Sequence, residues 1–217
     1  MRVRNVKNAD IKLANYPDKV IANYTEYKGN WNKLFKNDNP IYIEIGMGKA
    51  KFIIEHALRN PDINYIGIEK DISIVYKALT KYLETEESKE VKINNLVFLN
   101  IDACNIKEVF NDNEVQKVFL NFSDPWPKTR HEKRRLTSPL IFKNILDILD
   151  GDLEFKTDNR HLFEYSIMEF NTLNLDIIEL SLDLHSDKED IITTEYEDKF
   201  VAKGNVIYFV EVKNNGK

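Results

Sequence analysis

The stretch Ile41-Tyr42-Ile43-Glu44-Ile45-Gly46-Met47-Gly48-Lys49-Ala50 decides how the rest of the chain is read. Residues 41–45 have the apolar, β-branched character of a strand, and they run directly into two glycines. Residues 49–59 follow as a helix with Phe52, Ile53 and Ala57 on one face, closed by Asn60-Pro61. Strand, tight turn and helix in succession make a βα unit. Gly46 and Gly48 permit the sharp turn and let a ligand approach the backbone, while the helix N-terminus offers free N–H groups.

Working outward, strand-like runs at residues 63–69, 96–101, 115–122, 153–156, 175–184 and 206–212 alternate with helix-like stretches at 72–83, 139–149 and 160–173. That alternation predicts an α/β fold, a seven-stranded and mostly parallel sheet with helices on both faces. The last two strands are expected as an antiparallel edge pair. The loop between them, residues 185–204, exceeds the roughly 12–15 residues of an ordinary connection, so a function or local structure is expected of it. Residues 1–40 read as an N-terminal extension with a basic arm (Arg2, Arg4, Lys7), and residues 41–217 as one domain. A length of 217 residues suits such a domain, and 31% charged residues imply a well-solvated surface. The lone Cys104 cannot form an internal disulfide, no Cys or His cluster has zinc spacing, and no run approaches the roughly 18 apolar residues of a membrane span. A cytoplasmic protein without a metal or membrane partner is expected.

Glu69 closes the second strand, about 20 residues past the glycines, where an acid accepts hydrogen bonds from ribose hydroxyls. A pyrophosphate fingerprint is not met, because Lys51 stands where its third glycine belongs. Glu44 precedes the turn, an awkward neighbour for a phosphate but a suitable one for a cation. Asp102 follows the third strand. In an open α/β sheet the three strand ends face one crevice, and acids beside a helix N-terminus match S-adenosylmethionine, which carries a sulfonium, an ammonium and a carboxylate. Each feature also has a plain structural reading: a tight turn for the glycines, an acid paired within the sheet for Glu44, a helix N-cap for Asp102.

The fourth strand runs into Ser123-Asp124-Pro125-Trp126-Pro127-Lys128, whose two prolines hold Asp124 and Trp126 in fixed directions. Then comes Thr129-Arg130-His131-Glu132-Lys133-Arg134-Arg135, a basic run in a chain of net charge −5. By itself that run is compatible with a solvated helix start as well as with a phosphate-binding strip. Together these motifs resemble the bacterial tRNA (guanine-N7-)-methyltransferase family. The likeness spans six ordered blocks: the Arg-rich start, Glu-Ile-Gly-x-Gly-Lys, Gly67-Ile68-Glu69, Asp-Pro-Trp-Pro, Lys156-Thr157-Asp158-Asn159, and the segment from Thr194-Glu195-Tyr196-Glu197 to Phe200.

The resemblance implies a Rossmann-like class I methyltransferase fold, acting as a monomer or homodimer. It also implies methyl transfer from S-adenosylmethionine to N7 of the variable-loop guanine, position 46, of tRNA. It carries over Glu44, Gly46, Gly48, Glu69, Asp102 and Asp124 as cofactor contacts, with Asp124 also catalytic. Lys128, Asp158, Thr194, Glu195, Tyr196 and Glu197 would meet the tRNA or its target base, and Arg130, Lys133, Arg134 and Arg135 its phosphates. Two positions depart from the family pattern: Ala50 stands where glycine is more usual, and Thr129 where a basic residue is.

Guanine N7 is an unprotonated acceptor, so the chemistry needs no base and rests on alignment plus a fixed carboxylate beside the migrating positive charge. Asp124 suits that role, and Asp124, Asp158 or Glu197 suits the guanine N1–H and amine. His131 reads as a phosphate or backbone contact and Cys104 as packing. Trp126 fits either base stacking or a plug under the loop. A nicotinamide oxidoreductase would share the fold and Glu69, and a non-catalytic RNA-binding subunit would share the basic run; binding tests with NAD and S-adenosylmethionine separate these.

Overall fold

In the computed structural model, which describes residues 5–214, the alternation becomes one seven-stranded sheet in the order β3-β2-β1-β4-β5-β7-β6. The strands are β1 (Ile41–Ile45), β2 (Asn64–Ile68), β3 (Leu96–Leu99), β4 (Val115–Asn121), β5 (Leu149–Thr157), β6 (Asp176–Ser181) and β7 (Tyr208–Lys213). The helices are α1 (Ala9–Leu13), α2 (Trp31–Phe35), α3 (Lys51–Arg59), α4 (Ile72–Lys89), α5 (Ile106–Val109), α6 (Pro139–Ile148), α7 (Arg160–Thr172), α8 (Leu184–Asp187) and α9 (Glu195–Val201). Strands β1 to β5 pair in parallel, while β7 lies antiparallel between β5 and β6. No helix among the described residues is long and apolar enough to cross a membrane.

Strand alternation sorts side chains onto two cores. Ile43, Ile45, Ile66, Leu99, Val118, Leu120 and Phe155 face one, with Phe142 of α6 and Phe163 and Phe170 of α7. Tyr65, Phe98 and Phe119 face the other, under Phe52 and Ile53 of α3 and Val75, Leu79 and Tyr82 of α4. The same alternation puts Glu44, Asn121 and Lys156 on the α3 face, at the C-terminal ends of neighbouring strands. In register, Glu44 lies beside Phe119 and Asn121 beside Lys156.

The N-terminal extension packs against this frame. Ile21 N–H donates to the Phe98 carbonyl and Phe98 N–H to that of Lys19, while Trp31 is buried and donates through Nε1 to the Val109 carbonyl (3.2 Å). Arg2 and Arg4 of the expected basic arm lie outside the described residues.

One expectation needs correcting, and the local structure expected of the long connection is found. Helix α4 runs on to Lys89 rather than stopping near residue 83, because Glu86 accepts from the Ile93 N–H (2.8 Å) and the Tyr82 hydroxyl (3.1 Å) and draws the returning chain against it. The long loop at 185–204 contains α8 and α9, which rest on a small core of Leu184, Ile207 and Phe209 with Phe122, Ile191 and Val201.

Candidate active site

The turn after β1 is built as its glycines require. Gly46 (φ 80°) and Gly48 (φ 56°) are left-handed, and a Cβ on either would point into open space. Gly46 and Met47 N–H both donate to the Ile68 carbonyl (2.8 and 3.0 Å), which folds the turn over the end of β2. Ala50 is also left-handed (φ 65°) at the N-cap of α3, the reason glycine suits that position. Gly67, level with Glu44 on β2, suits glycine for a different reason: the position is closely packed, and a Cβ there would come within 2.3 Å of Met47 Sδ.

Glu44 is 1% exposed. Asn121 Nδ2 donates to its Oε1 (2.9 Å), while Oε2 is buried without a hydrogen-bond partner. Burial pushes the carboxyl up to about 8, opposed by the Asn121 bond and the charge of Lys156. The charges of Glu195 and Glu69 push it further up. A buried oxygen with no donor beside an open glycine turn is what a cationic ligand would complete. Glu69 is half-buried. Burial raises its pKa, against backbone N–H bonds from Asp71, Gly48 and Lys70 that favour the charge. Asn100 Nδ2 donates to the carbonyls of Glu69 and Lys70 (both 3.0 Å), tying the ends of β2 and β3 together. Asp102, just past β3, is exposed and accepts from the Cys104 N–H (3.0 Å), a bond that lowers its pKa. It is thus an N-cap, the plain structural reading of this residue.

The loop after β4 is strained where it turns. Phe122 (φ 51°) and Trp126 (φ 40°) are both left-handed, an arrangement costing roughly 1–3 kcal/mol per residue that surrounding contacts must hold. Phe122 N–H donates to the Lys156 carbonyl (2.8 Å). Asp124 is exposed on this loop, as are Lys128, Arg130, Lys133 and Arg134 beyond it. The Trp126 ring is half-buried, edge-on to His131 and covered by the Arg134 guanidinium at 4.9 Å. Arg135 corrects the expectation of a phosphate contact. It is 1% exposed, and its Nε and Nη2 donate to the carbonyls of Pro125 (2.9 Å) and Trp126 (3.2 Å).

Across the crevice, Thr194 and Glu197 form a capping box at the start of α9. Glu197 corrects a second expectation, since it is fully buried rather than turned to a substrate. Its carboxylate takes Lys156 Nζ (2.9 Å), His185 Nε2 (2.9 Å) and the Thr194 N–H (3.3 Å). Tyr196 is 43% exposed, stacks on Phe200 and lies 5.0 Å from Phe122, and burial together with Asp158 just beyond β5 raises the pKa of its hydroxyl. Lys51 pairs with Asp198, and Lys81 with Glu195 (2.6 Å), which straps α9 to the helices α3 and α4 beside the glycine turn.

Asn121 and Lys156 were not read as site residues from sequence. For Asn121 the signal was available, a polar side chain closing β4 after Val118-Phe119-Leu120 on the face that also carries Glu44; Lys156 lies among the other polar residues of β5 and no such pattern marks it.

Comparison with known proteins places this geometry. A family model described as "Putative methyltransferase" matches residues 38–210. A solved 16S rRNA methyltransferase, KamB, aligns with TM-score 0.65 over 85% of this chain and 92% of its own at 9% identity. A 16S rRNA (adenine(1408)-N(1))-methyltransferase from Catenulisporales acidiphilia, solved with cosubstrate SAM, aligns with TM-score 0.60 over 85% and 90% at 12% identity. At such identities these share the fold alone. The sequence relatives are much nearer. The tRNA (guanine-N(7)-)-methyltransferase of Geobacillus sp. (strain WCH70) is 50% identical over 98% of this chain and 96% of its own length. That of Bacillus subtilis (strain 168) is 49% identical over 98% and 99%. With half of its residues shared from end to end, the chain belongs to the tRNA (guanine-N(7)-)-methyltransferase family.

Proposed function

We propose that this protein methylates N7 of the variable-loop guanine, position 46, of tRNA, with S-adenosylmethionine as the donor. The observation that carries the reading lies at the C-terminal end of β1, where an acid with a buried, unpartnered oxygen stands just before an open glycine turn, in a chain 50% identical to an enzyme of that name. S-adenosylmethionine supplies an electrophilic methyl group on a positively charged sulfur. Glu44, Glu69 and the turn at Gly46 and Gly48 would hold it, with Asp102 at the edge of the crevice and Asp124 at the side facing the base. Because Glu44 titrates near 8, it is largely protonated at neutral pH, and a cation beside Oε2 favours its ionised form.

The chain's own groups then do three things. Asp124, on the strained loop, presents a carboxylate where positive charge passes to the guanine ring. Asp158, just beyond β5, and Tyr196 of α9 would offer acceptors to the guanine edge, with Lys128, Thr194 and Glu195 also meeting the tRNA. The exposed Arg130, Lys133 and Arg134 neutralise phosphates, each adding about 0.7–0.9 to the salt slope of binding. Each chain carries all of these groups itself, so a monomer or a homodimer would serve, and action on tRNA places the protein in the cytoplasm.

The test is incubation with radiolabelled S-adenosylmethionine and unmodified tRNA, followed by nucleoside analysis. Label in 7-methylguanosine is the expected result. Label in another nucleoside, or none, would overturn the reading.

A further inference from the structure

We infer that Arg135 is a positioning residue for methyl transfer, a buried guanidinium that clamps the Asp-Pro-Trp-Pro loop and thereby aims Asp124. This deepens the proposed function and rests on it. Arg135 sits at the end of the basic run, yet it alone among Arg130, Lys133, Arg134 and Arg135 is buried, at 1% exposure. Its Nε donates to the Pro125 carbonyl at 2.9 Å and its Nη2 to the Trp126 carbonyl at 3.2 Å, one side chain reading two consecutive peptide groups. Behind it, the guanidinium plane lies 4.3 Å from the centre of the Tyr165 ring on α7. Glu132 Oε1 stands 3.7 Å from Nη1.

This loop needs such a clamp. Neither Phe122 nor Trp126 is a glycine, and both are held left-handed. Prolines at 125 and 127 remove two backbone donors, so no strand or helix can fix these residues. The carbonyls of Pro125 and Trp126 must therefore be bonded from a side chain, and a planar fork with several donors matches adjacent carbonyls where an ammonium cannot. Asp124 directly precedes the bonded pair. A shift of about 1 Å at such a carboxylate is enough to cost on the order of 10²-fold in rate.

Arg135→Lys separates this role from phosphate binding, because it keeps the charge and loses the fork. The expected result is a kcat lowered about 30- to 100-fold, a KM for tRNA within about 3-fold of the parent, and an unchanged salt slope of tRNA binding. A raised KM with a flatter salt slope and unchanged kcat would assign Arg135 to the RNA and overturn the proposal, as would parental kinetics. Tyr165→Leu removes only the aromatic backing and should lower kcat in the same sense by a smaller factor; parental kcat in that variant counts against the clamp.

A second readout does not depend on catalysis. The chain has two tryptophans, so 5-fluorotryptophan labelling gives one resonance for Trp126 and one for the buried Trp31. In Arg135→Lys the Trp126 resonance should broaden or split while that of Trp31 stays in place. A Trp126 line as sharp as the parent's would overturn the clamp. If the parent itself made no 7-methylguanosine, the functional reading would fail while this measurement still decided whether Arg135 orders the loop.

Discussion

Two buried carboxyl groups, Glu44 and Glu197, are satisfied in opposite ways. On the β1 and β2 side, Glu44 is buried with one oxygen bonded to Asn121 and the other bonded to nothing. On the β5 and α9 side, Glu197 is buried as deeply but takes Lys156, His185 and the Thr194 N–H. A buried polar atom without a partner costs roughly 1–3 kcal/mol, a cost that a cationic ligand beside the glycine turn would relieve at Glu44, whereas a satisfied buried ion pair holds elements in place. Glu44 is therefore read as half of a binding interaction, and Glu197 as the fastening of the segment that carries Tyr196 and Glu195.

The largest effect should come from breaking the fastening. Lys156→Met leaves Glu197 charged and buried and should cost about 3–5 kcal/mol of stability. Adding Glu197→Gln should restore most of it, measured by urea denaturation. If the single variant were as stable as the parent, the contrast between the two sides would collapse. Next comes the catalytic side itself. Asp124 is exposed and bears no structural duty comparable to that of Glu197, so Asp124→Ala should lower kcat by about 10²–10³ with little change in tRNA affinity or unfolding midpoint. Normal turnover would remove it from the mechanism.

The third test uses pH. Glu44 binds a proton in the fold between its ordinary 4.5 and about 8 that the unfolded chain has released, so stability falls as pH rises through that window. His56, buried among Phe52, Phe119 and Tyr65, is pushed down from 6.5 to about 3, so the unfolded chain binds the extra proton and stability falls as pH drops below 6.5. Each group contributes a slope of about 1.4 kcal/mol per pH unit within its window. These two cancel between 4.5 and 6.5, leaving a flat optimum there. Glu44→Gln should remove the alkaline limb, read from denaturation midpoints across pH; an unaltered alkaline limb would show that Glu44 is not held protonated.

The smallest effect belongs to Ala50. Its left-handed backbone should cost about 1 kcal/mol relative to glycine. Part of that is offset by its buried methyl group, so Ala50→Gly should stabilise by a few tenths of a kcal/mol. A loss of stability would mean that packing outweighs the strain.

The central strands β1 to β4 were legible because they are short runs with apolar centres in a parallel sheet, and β1 has the bounds expected from its residues; β5 instead begins at Leu149, inside the stretch read as helix, because its polar first residues carry no strand pattern. The end of α4 was not, because its last turns are polar and owe their form to the chain returning at Ile93. Nor were α8 and α9 in the long connection, whose apolar residues find their partners on β7 and at Phe122.

What the sequence determined by itself was the order of elements and the strand ends at which the acids sit, since periodicity and glycine turns are local properties of the chain. Only the tertiary structure decided which charges are free to act. Arg135 and Arg134 are neighbours in a basic run, and Glu195 and Glu197 in an acidic one, yet one member of each pair is spent inside the protein. Burial depends on what packs above a residue from elsewhere in the chain, and no local pattern encodes that.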